Sequence, residues 1–236
     1  MSSNERKNTA LRLPDSLSRS GCEFRDMGDI PTLEIELALL AQGHRFIAGL
    51  DEAGRGAWAG PVVAAAVVLP LDQPDLEHML GGVRDSKRLS PATRQTLFEV
   101  IRQIALGVGV GVSAPALIDR EGIVPATHRA MQQALSRLSP RPGCLIIDHL
   151  RLTAVPVPQV AFSKADARSL SVAAASIVAK VTRDRLMGLL DGRYPGYGFA
   201  RHKGYGTATH RAALARLGPA AIHRMSFAPL KGYVKL

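Results

Sequence analysis

Asp51 and Glu52 stand side by side at the end of the apolar run that begins at Arg45, directly before Gly54-Arg55-Gly56. Paired carboxylates of this kind suit hard divalent cations, Mg²⁺ or Mn²⁺, which prefer oxygen ligands. Neighbours on a regular strand point to opposite faces, so sharing one ion requires the strand to end or twist there. The two glycines supply that freedom and let backbone amides approach a phosphate or a sugar. An ordinary solvated acidic turn would look the same locally. Two further acids occupy comparable settings. Asp148 ends the run Leu145-Ile146-Ile147, where an acid after a buried strand points into the cleft at the sheet edge. Asp166 opens a long helical stretch, where it is either a site residue or a simple N-cap. Four such acids could converge on two ions about 4 Å apart, enough to activate a water and stabilise the leaving oxygen of a phosphodiester.

Gly54-x-Gly56-x-x-Ala59 loosely matches a dinucleotide fingerprint, but that motif needs a helix next. Here Gly60-Pro61 opens a Val/Ala strand, and two carboxylates would repel a pyrophosphate, so the fingerprint is set aside. A third feature is the stretch from Arg193 to Tyr205, which gathers four of the chain's eleven aromatic residues among Arg193, Arg201, His202 and Lys203. Interleaved rings and cations suit stacking on sugars or bases together with phosphate contact, and equally suit a packed loop. Asp85-Ser86-Lys87 is a smaller polar node before a helix, either a phosphate contact or a turn. The seven histidines form no H-E-x-x-H or comparable pair, which argues against zinc. Trp58, the single tryptophan, is expected to pack the turn.

These residues need a frame. Strands are expected at Arg45–Asp51, Pro61–Leu69, Leu106–Ser113 and Cys144–Asp148, with a short one ending near Phe162. Helices are expected from Thr32 to Gly43, from Ser90-Pro91 to about Ala105, from Pro125 to Leu138 and from Ala167 to Leu190. The Gly-Val alternation of Leu106–Ser113 marks a strand closely packed by a neighbour. Two consecutive strands followed by alternating strands and helices indicate an α/β layer fold with a mixed sheet. The 236 residues suit one domain over 32–236, with residues 1–31 read as a flexible leader. Apolar types at 46% and charged types at 21% exclude a disordered chain. Thirty Lys and Arg against 20 Asp and Glu, a formal +10, favour a polyanionic partner, with nucleic acid first. Cys22 and Cys144 form no C-x-x-C pair and suit a reducing cytoplasm. No apolar run is long enough to cross a membrane.

The motifs together resemble ribonuclease HII, the type-2 ribonuclease H family. The resemblance runs from about Leu33 to Phe227 and rests on D-E-A-G-R-G at 51–56, A-G-P-V-V-A-A-A-V-V-L at 59–69 and D-S-K-R-L-S at 85–90. It continues through S-L-S-V-A-A-A-S-I-V-A-K-V-T-R-D at 169–184, Y-P-G-Y-G-F at 194–199, H-K-G-Y-G-T at 202–207 and I-H-R-M-S-F at 222–227. It implies a ribonuclease H-like fold, a mixed central sheet flanked by helices. It also implies metal-dependent cleavage of RNA in RNA–DNA hybrids and on the 5′ side of ribonucleotides embedded in duplex DNA, leaving 5′-phosphate and 3′-hydroxyl ends, by a cytoplasmic monomer. The family's carboxylate set falls on Asp51, Glu52, Asp148 and Asp166, which would hold two Mn²⁺ or Mg²⁺ ions. Gly54, Arg55 and Gly56 resemble the element that reads the ribose 2′-OH, and Tyr205 the tyrosine that packs at the RNA–DNA junction. Ser86, Lys87, Lys180, Arg201 and Lys203 complete the expected substrate contacts. Two departures stand out: His149 follows Asp148 where the family usually has Gly, and Lys164-Ala165-Asp166 replaces Lys-Gly-Asp. The alternative is a nucleic-acid-binding module that keeps the scaffold without turnover, but clustered carboxylates gain nothing in plain binding to a polyanion.

Overall fold

The computed structural model describes residues 30–84 and 86–233, so most of the leader, and Asp85, lie outside the described residues. Five strands, β1 (Ile47–Ala53), β2 (Val62–Val68), β3 (Gly107–Ser113), β4 (Cys144–Asp148) and β5 (Gln159–Phe162), form one sheet in the order β3-β2-β1-β4-β5. The β3, β2 and β1 strands are antiparallel, while β1, β4 and β5 run parallel, which gives the mixed sheet that the strand spacing implied. β1 lies at its centre and is the strand that joins the two regimes.

The helices are α1 (Glu34–Ala41), α2 (Leu76–Met79), α3 (Pro91–Ile104), α4 (Pro115–Glu121), α5 (Ile123–Ser136), α6 (Leu170–Arg193), α7 (Phe199–His202) and α8 (Ala208–Leu217). Ser90 caps α3 by accepting from the Thr93 N–H, with Pro91 at the first position, as its sequence signature indicates. One face of the sheet packs Ala53, Ala65 and Val67 against Ala173, Ala174, Ile177 and Val178 of α6. The other packs Leu50, Ala64 and Ala66 against Ala126, Ala130 and Met131 of α5. Small residues set these distances. A Cβ on Gly111 would come within 1.9 Å of the Ala130 carbonyl oxygen, and one on Gly49 within 2.2 Å of the Ser171 backbone carbon. The Gly-Val repeat of β3 is thus the imprint of α5, and Gly49 lets the start of α6 rest on β1.

Several boundaries differ from those read in the sequence. β1 continues through Glu52 to Ala53, because its pairing with β2 persists to Ala53 opposite Val63. α1 begins at Glu34, since Thr32 is drawn instead into a bridge with Ser169. α5 starts at Ile123, after Gly122 turns the chain at φ 89°. The expected long helix is split: Ala165–Ala167 form a 3-10 turn, and α6 starts at Leu170 with Ser169 as its cap. The helices α2, α4, α7 and α8 have no counterpart in the sequence-based expectation.

Candidate active site

Topology brings the acids together before any side chain is considered. The last registered pair of β1 and β4 is Leu50 opposite Ile147, and one step further stand Asp51 and Asp148. They lie at the carboxyl ends of adjacent parallel strands, where α/β sheets open their clefts. The turn after β5 carries Asp166, and the Ala165 N–H donates to Asp148 Oδ1 at 3.0 Å, tying that turn to the end of β4. Capping is not the role of Asp166, because the Ser169 hydroxyl accepts from the Val172 N–H three residues on. Asp51 and Asp166 are both buried.

The charges at this end are in conflict. Burial pushes the Asp51 carboxyl well above its ordinary value, and repulsion from Glu52 and Asp166 adds to that, while a bond from Ser176 eases it. Burial also raises Glu52, and Asp148 adds repulsion, against the lowering effect of Arg55 and Lys87. Arg55 Nη1 donates to Glu52 Oε1 at 3.1 Å, yet Glu52 Oε2 is buried with no partner among the described residues. Among the described residues, no three His, Cys, Asp or Glu side chains are already drawn into an ion-holding cluster. A buried orphan oxygen beside mutually repelling carboxyls has the chemistry of a divalent-cation site, since an ion supplies both the missing partner and the missing charge.

The turn after β1 is built for close approach. Gly54 sits at φ 93° with Arg183 Nε only 1.9 Å from where a Cβ would be, whereas Gly56 is exposed with open space around it. The Trp58 and Ala59 amides donate to the Gly204 carbonyl at 2.8 and 3.3 Å, which places the Tyr205 loop beside this turn. Trp58 packs the turn as expected: a Cβ on Gly206 would meet its ring at 2.2 Å. Tyr205 is 37% exposed, with the Arg183 guanidinium 5.4 Å and the Lys180 ammonium 5.8 Å from its ring centre.

Of the aromatic stretch, only part faces solvent. Tyr197 and Phe199 stack at 5.1 Å inside a small core with Met187 and Ile222, so they brace the loop and offer no stacking surface. Three buried histidines, His202, His210 and His223, complete the brace, with His202 Nε2 2.8 Å from the Tyr197 carbonyl. The Ala220 N–H donates to His223 Nδ1 at 2.8 Å, which leaves His223 Nε2 to donate to His210 Nε2 at 3.0 Å and His210 Nδ1 to donate to the Tyr205 carbonyl at 3.0 Å. Burial holds His210 below its ordinary value and His223 down to about 4, in keeping with neutral rings along this chain.

The remaining expected contacts divide. Arg94, Lys180, Arg201, Lys203, Tyr205 and Thr207 line one groove of about 700 Å³, in which Lys180 Nζ donates to Asp184 at 2.9 Å. Lys87 is exposed and acts on Glu52. Ser86 is buried, and its hydroxyl lies 3.0 Å from that of Ser176, so it reaches Asp51 only through Ser176. Ser176, Arg183 and Arg224 were not singled out in the sequence; of the three, only Ser176 had a local signal, as one of few polar residues in the Ala-rich start of α6. His149 adopts φ 61°, a left-handed conformation that glycine holds with less strain, and its Nδ1 lies 3.2 Å from the Ser163 hydroxyl.

Comparison with known proteins gives the family. The family model described as Ribonuclease HII matches residues 48–230, from β1 through the last turn of the fold. The chain belongs to the ribonuclease HII family. Ribonuclease HII of Pelobacter propionicus is 53% identical over 218 residues, covering 91% of this chain and 97% of that protein. Ribonuclease HII of Chloroflexus aurantiacus is 54% identical over 204 residues, covering 85% and 95%. The crystal structure of ribonuclease H2 from Pyrococcus horikoshii OT3 superposes with a TM-score of 0.67 at 28% identity, over 78% of this chain and 95% of that one. Ribonuclease HII membership makes the chain an endoribonuclease of the ribonuclease H type, a hydrolase, and removes the non-catalytic alternative. No helix among the described residues is long and apolar enough to cross a membrane.

Proposed function

We propose that this ribonuclease HII uses Asp51, Glu52, Asp148 and Asp166 to hold two divalent cations, Mn²⁺ or Mg²⁺, and cuts on the 5′ side of ribonucleotides in RNA–DNA hybrids and in duplex DNA. The observation that carries this reading is the buried, unpartnered Glu52 Oε2 at the joint end of β1 and β4. When bound, such ions activate the attacking water and stabilise the leaving oxygen. The water oxygen bonds to phosphorus while the bond from phosphorus to the 3′ oxygen of the preceding nucleotide breaks, leaving a 5′-phosphate and a 3′-hydroxyl. Arg55 holds Glu52 Oε1, the Ala165 amide holds Asp148 Oδ1 and Ser176 bonds Asp51, so these carboxylates are oriented by this chain before any cation arrives.

The sugar is read beside this centre. The 2′-OH both donates and accepts, so backbone groups of the Gly54-Arg55-Gly56 turn can recognise it, and the open space at Gly56 allows the approach. Tyr205 stacks on the neighbouring deoxyribose. Lys180, Arg201 and Lys203 follow the phosphates, with Lys87 nearer the acids; Ser86 supports Asp51 from behind. The same reading has the enzyme act as a monomer in the cytoplasm, a setting that suits the buried, inert Cys144 thiol, which desolvation pushes up to about 12. The test is a duplex carrying one ribonucleotide, incubated with Mg²⁺, Mn²⁺ or chelator. Cleavage is expected only with metal, at the 5′ side of the ribose. Cleavage in chelator, or products with a 2′,3′-cyclic end, would rule the reading out.

A further inference from the structure

Two arginines behind the proposed sugar-reading face carry charge into the interior, with Asp184 acting on Arg183 and Asp119 on Arg224 only from beyond ion-pair distance. Arg183 of α6 and Arg224 near the C-terminus are both fully buried, and among the described residues neither forms an ion pair with a carboxylate. Their donors go to backbone carbonyls instead. Arg183 Nε, Nη2 and Nη1 donate to Pro61, Ala59 and Lys203 at 2.9, 3.1 and 3.0 Å. Arg224 Nε and Nη2 donate to Gly60 at 3.0 and 2.9 Å, and Nη1 donates to Arg55 at 2.8 Å. Packing alone does not explain such a pair, because apolar side chains of similar volume fill a core without the desolvation cost. What the guanidiniums add is reach: each planar fork bonds several carbonyls at once.

Those carbonyls belong to two different elements. Arg183 bridges the segment after β1 to Lys203, presses against Gly54 and lies under the Tyr205 ring. Arg224 holds Arg55 inside the glycine turn, and its own amide donates to the Trp58 carbonyl at 2.8 Å, while the Trp58 amide donates to Gly204. We propose that Arg183 and Arg224 are positioning residues that lock the Gly54-Arg55-Gly56 turn and the Tyr205 loop into one rigid unit, fixing the distance at which a ribose and the following deoxyribose are read. This rests on the proposed reading of those two elements. A lone ribonucleotide in DNA engages both at once, whereas a continuous RNA strand engages only the first. Preference for the junction is then a property of the spacing, and of neither element alone.

Arg183→Lys and Arg224→Lys keep the charge and the stem but cannot span the carbonyls. The quantity to measure is the ratio of kcat/KM on a single-ribonucleotide duplex to kcat/KM on an all-RNA hybrid. Both variants are expected to lower that ratio by about twofold or more, the low end of coupling within one hydrogen-bond network. Arg224→Lys is decisive, because Arg224 donates to nothing in the Tyr205 loop. A merely structural role reduces the folded fraction and cuts both rates alike, so an unchanged ratio in folded Arg224→Lys overturns the coupling while leaving the sugar-reading roles intact. Failure of the wild type to cut the single-ribonucleotide duplex overturns both. Should the lysine variants not fold, amide exchange of the wild type decides. The Trp58 and Ala59 amides, which bond across the two elements, and the Arg224 amide, which ties Arg224 to Trp58, are expected to share one opening free energy, and separate openings would overturn the proposal.

Discussion

At the ends of β1 and β4, acids crowd one another and Glu52 Oε2 has no partner; behind Tyr205, two buried guanidiniums and three histidines spread their bonds over backbone carbonyls and each other. The acid end is held in conflict by rigid strands, so its energy is lowered by whatever cation arrives. The reading end is satisfied before substrate binds, and its exposed parts, Gly56 and Tyr205, are presented on a fixed frame. On the proposed reading, chemistry that needs an added charge is kept unsatisfied, while recognition that needs fixed spacing is kept satisfied.

The largest expected effect lies at the acid end. Asp51→Asn or Asp148→Asn is expected to abolish cleavage while duplex affinity stays equal or rises, because a repulsive charge is lost; full activity in either would remove the two-metal assignment. At the reading end, Tyr205→Ala is expected to cost about 1–3 kcal/mol of stacking. The loss should fall mainly on single-ribonucleotide cleavage relative to all-RNA hybrid, and a ratio that does not fall would make Tyr205 a packing residue.

Stability against pH separates the two ends by sign. His223 is held down to about 4, so between its ordinary value and that one the unfolded chain binds a proton that the folded chain refuses, and stability is lost as pH falls through that window. At pH 5 the loss relative to pH 7 is about 2 kcal/mol from this group. Asp51 and Glu52 are raised, so the folded state takes up their protons first and the acid end gains stability as pH falls. Denaturant unfolding at pH 7 and 5 in chelator should show a steeper loss in Asp51→Asn and a shallower one in His223→Asn. Parallel profiles in the two variants would erase the contrast. The smallest effect concerns the groove: Arg201→Ala or Lys203→Ala should flatten the salt dependence of duplex binding by about one unit of slope per lost phosphate contact. An unchanged slope in both would place the duplex elsewhere.

The acid end was the more legible in sequence, because its signals are local. An acid closing an apolar run, as at Asp148, marks a strand end, and the Gly-Val repeat at 107–113 marks a strand under a helix. One of its ambiguities, whether Asp166 caps the helix, is answered by Ser169, which caps α6 instead because α6 begins only at Leu170; the other, a solvated acidic turn at Asp51-Glu52, does not fit the burial of Asp51. The reading end was legible only on its surface. Tyr197 and Phe199 resemble Tyr205 in their neighbours along the chain, and only the fold turns the first two inward. Arg183 and Arg224 bond carbonyls contributed from over 100 residues away, which no local pattern records. By contrast α8 had its signature in view, with Thr207 as cap and Gly218 at φ 69° beyond its end.

The contrast between a conflicted end and a satisfied one is tested most directly by thermal unfolding of the wild type and Asp51→Asn, each in chelator and in Mn²⁺. In chelator, Asp51→Asn is expected to melt above the wild type, since it relieves the repulsion. Mn²⁺ should raise the wild-type Tm and leave that of Asp51→Asn nearly unmoved. A wild-type Tm indifferent to Mn²⁺, or equal gains in both proteins, would contradict a cation site built from these carboxylates.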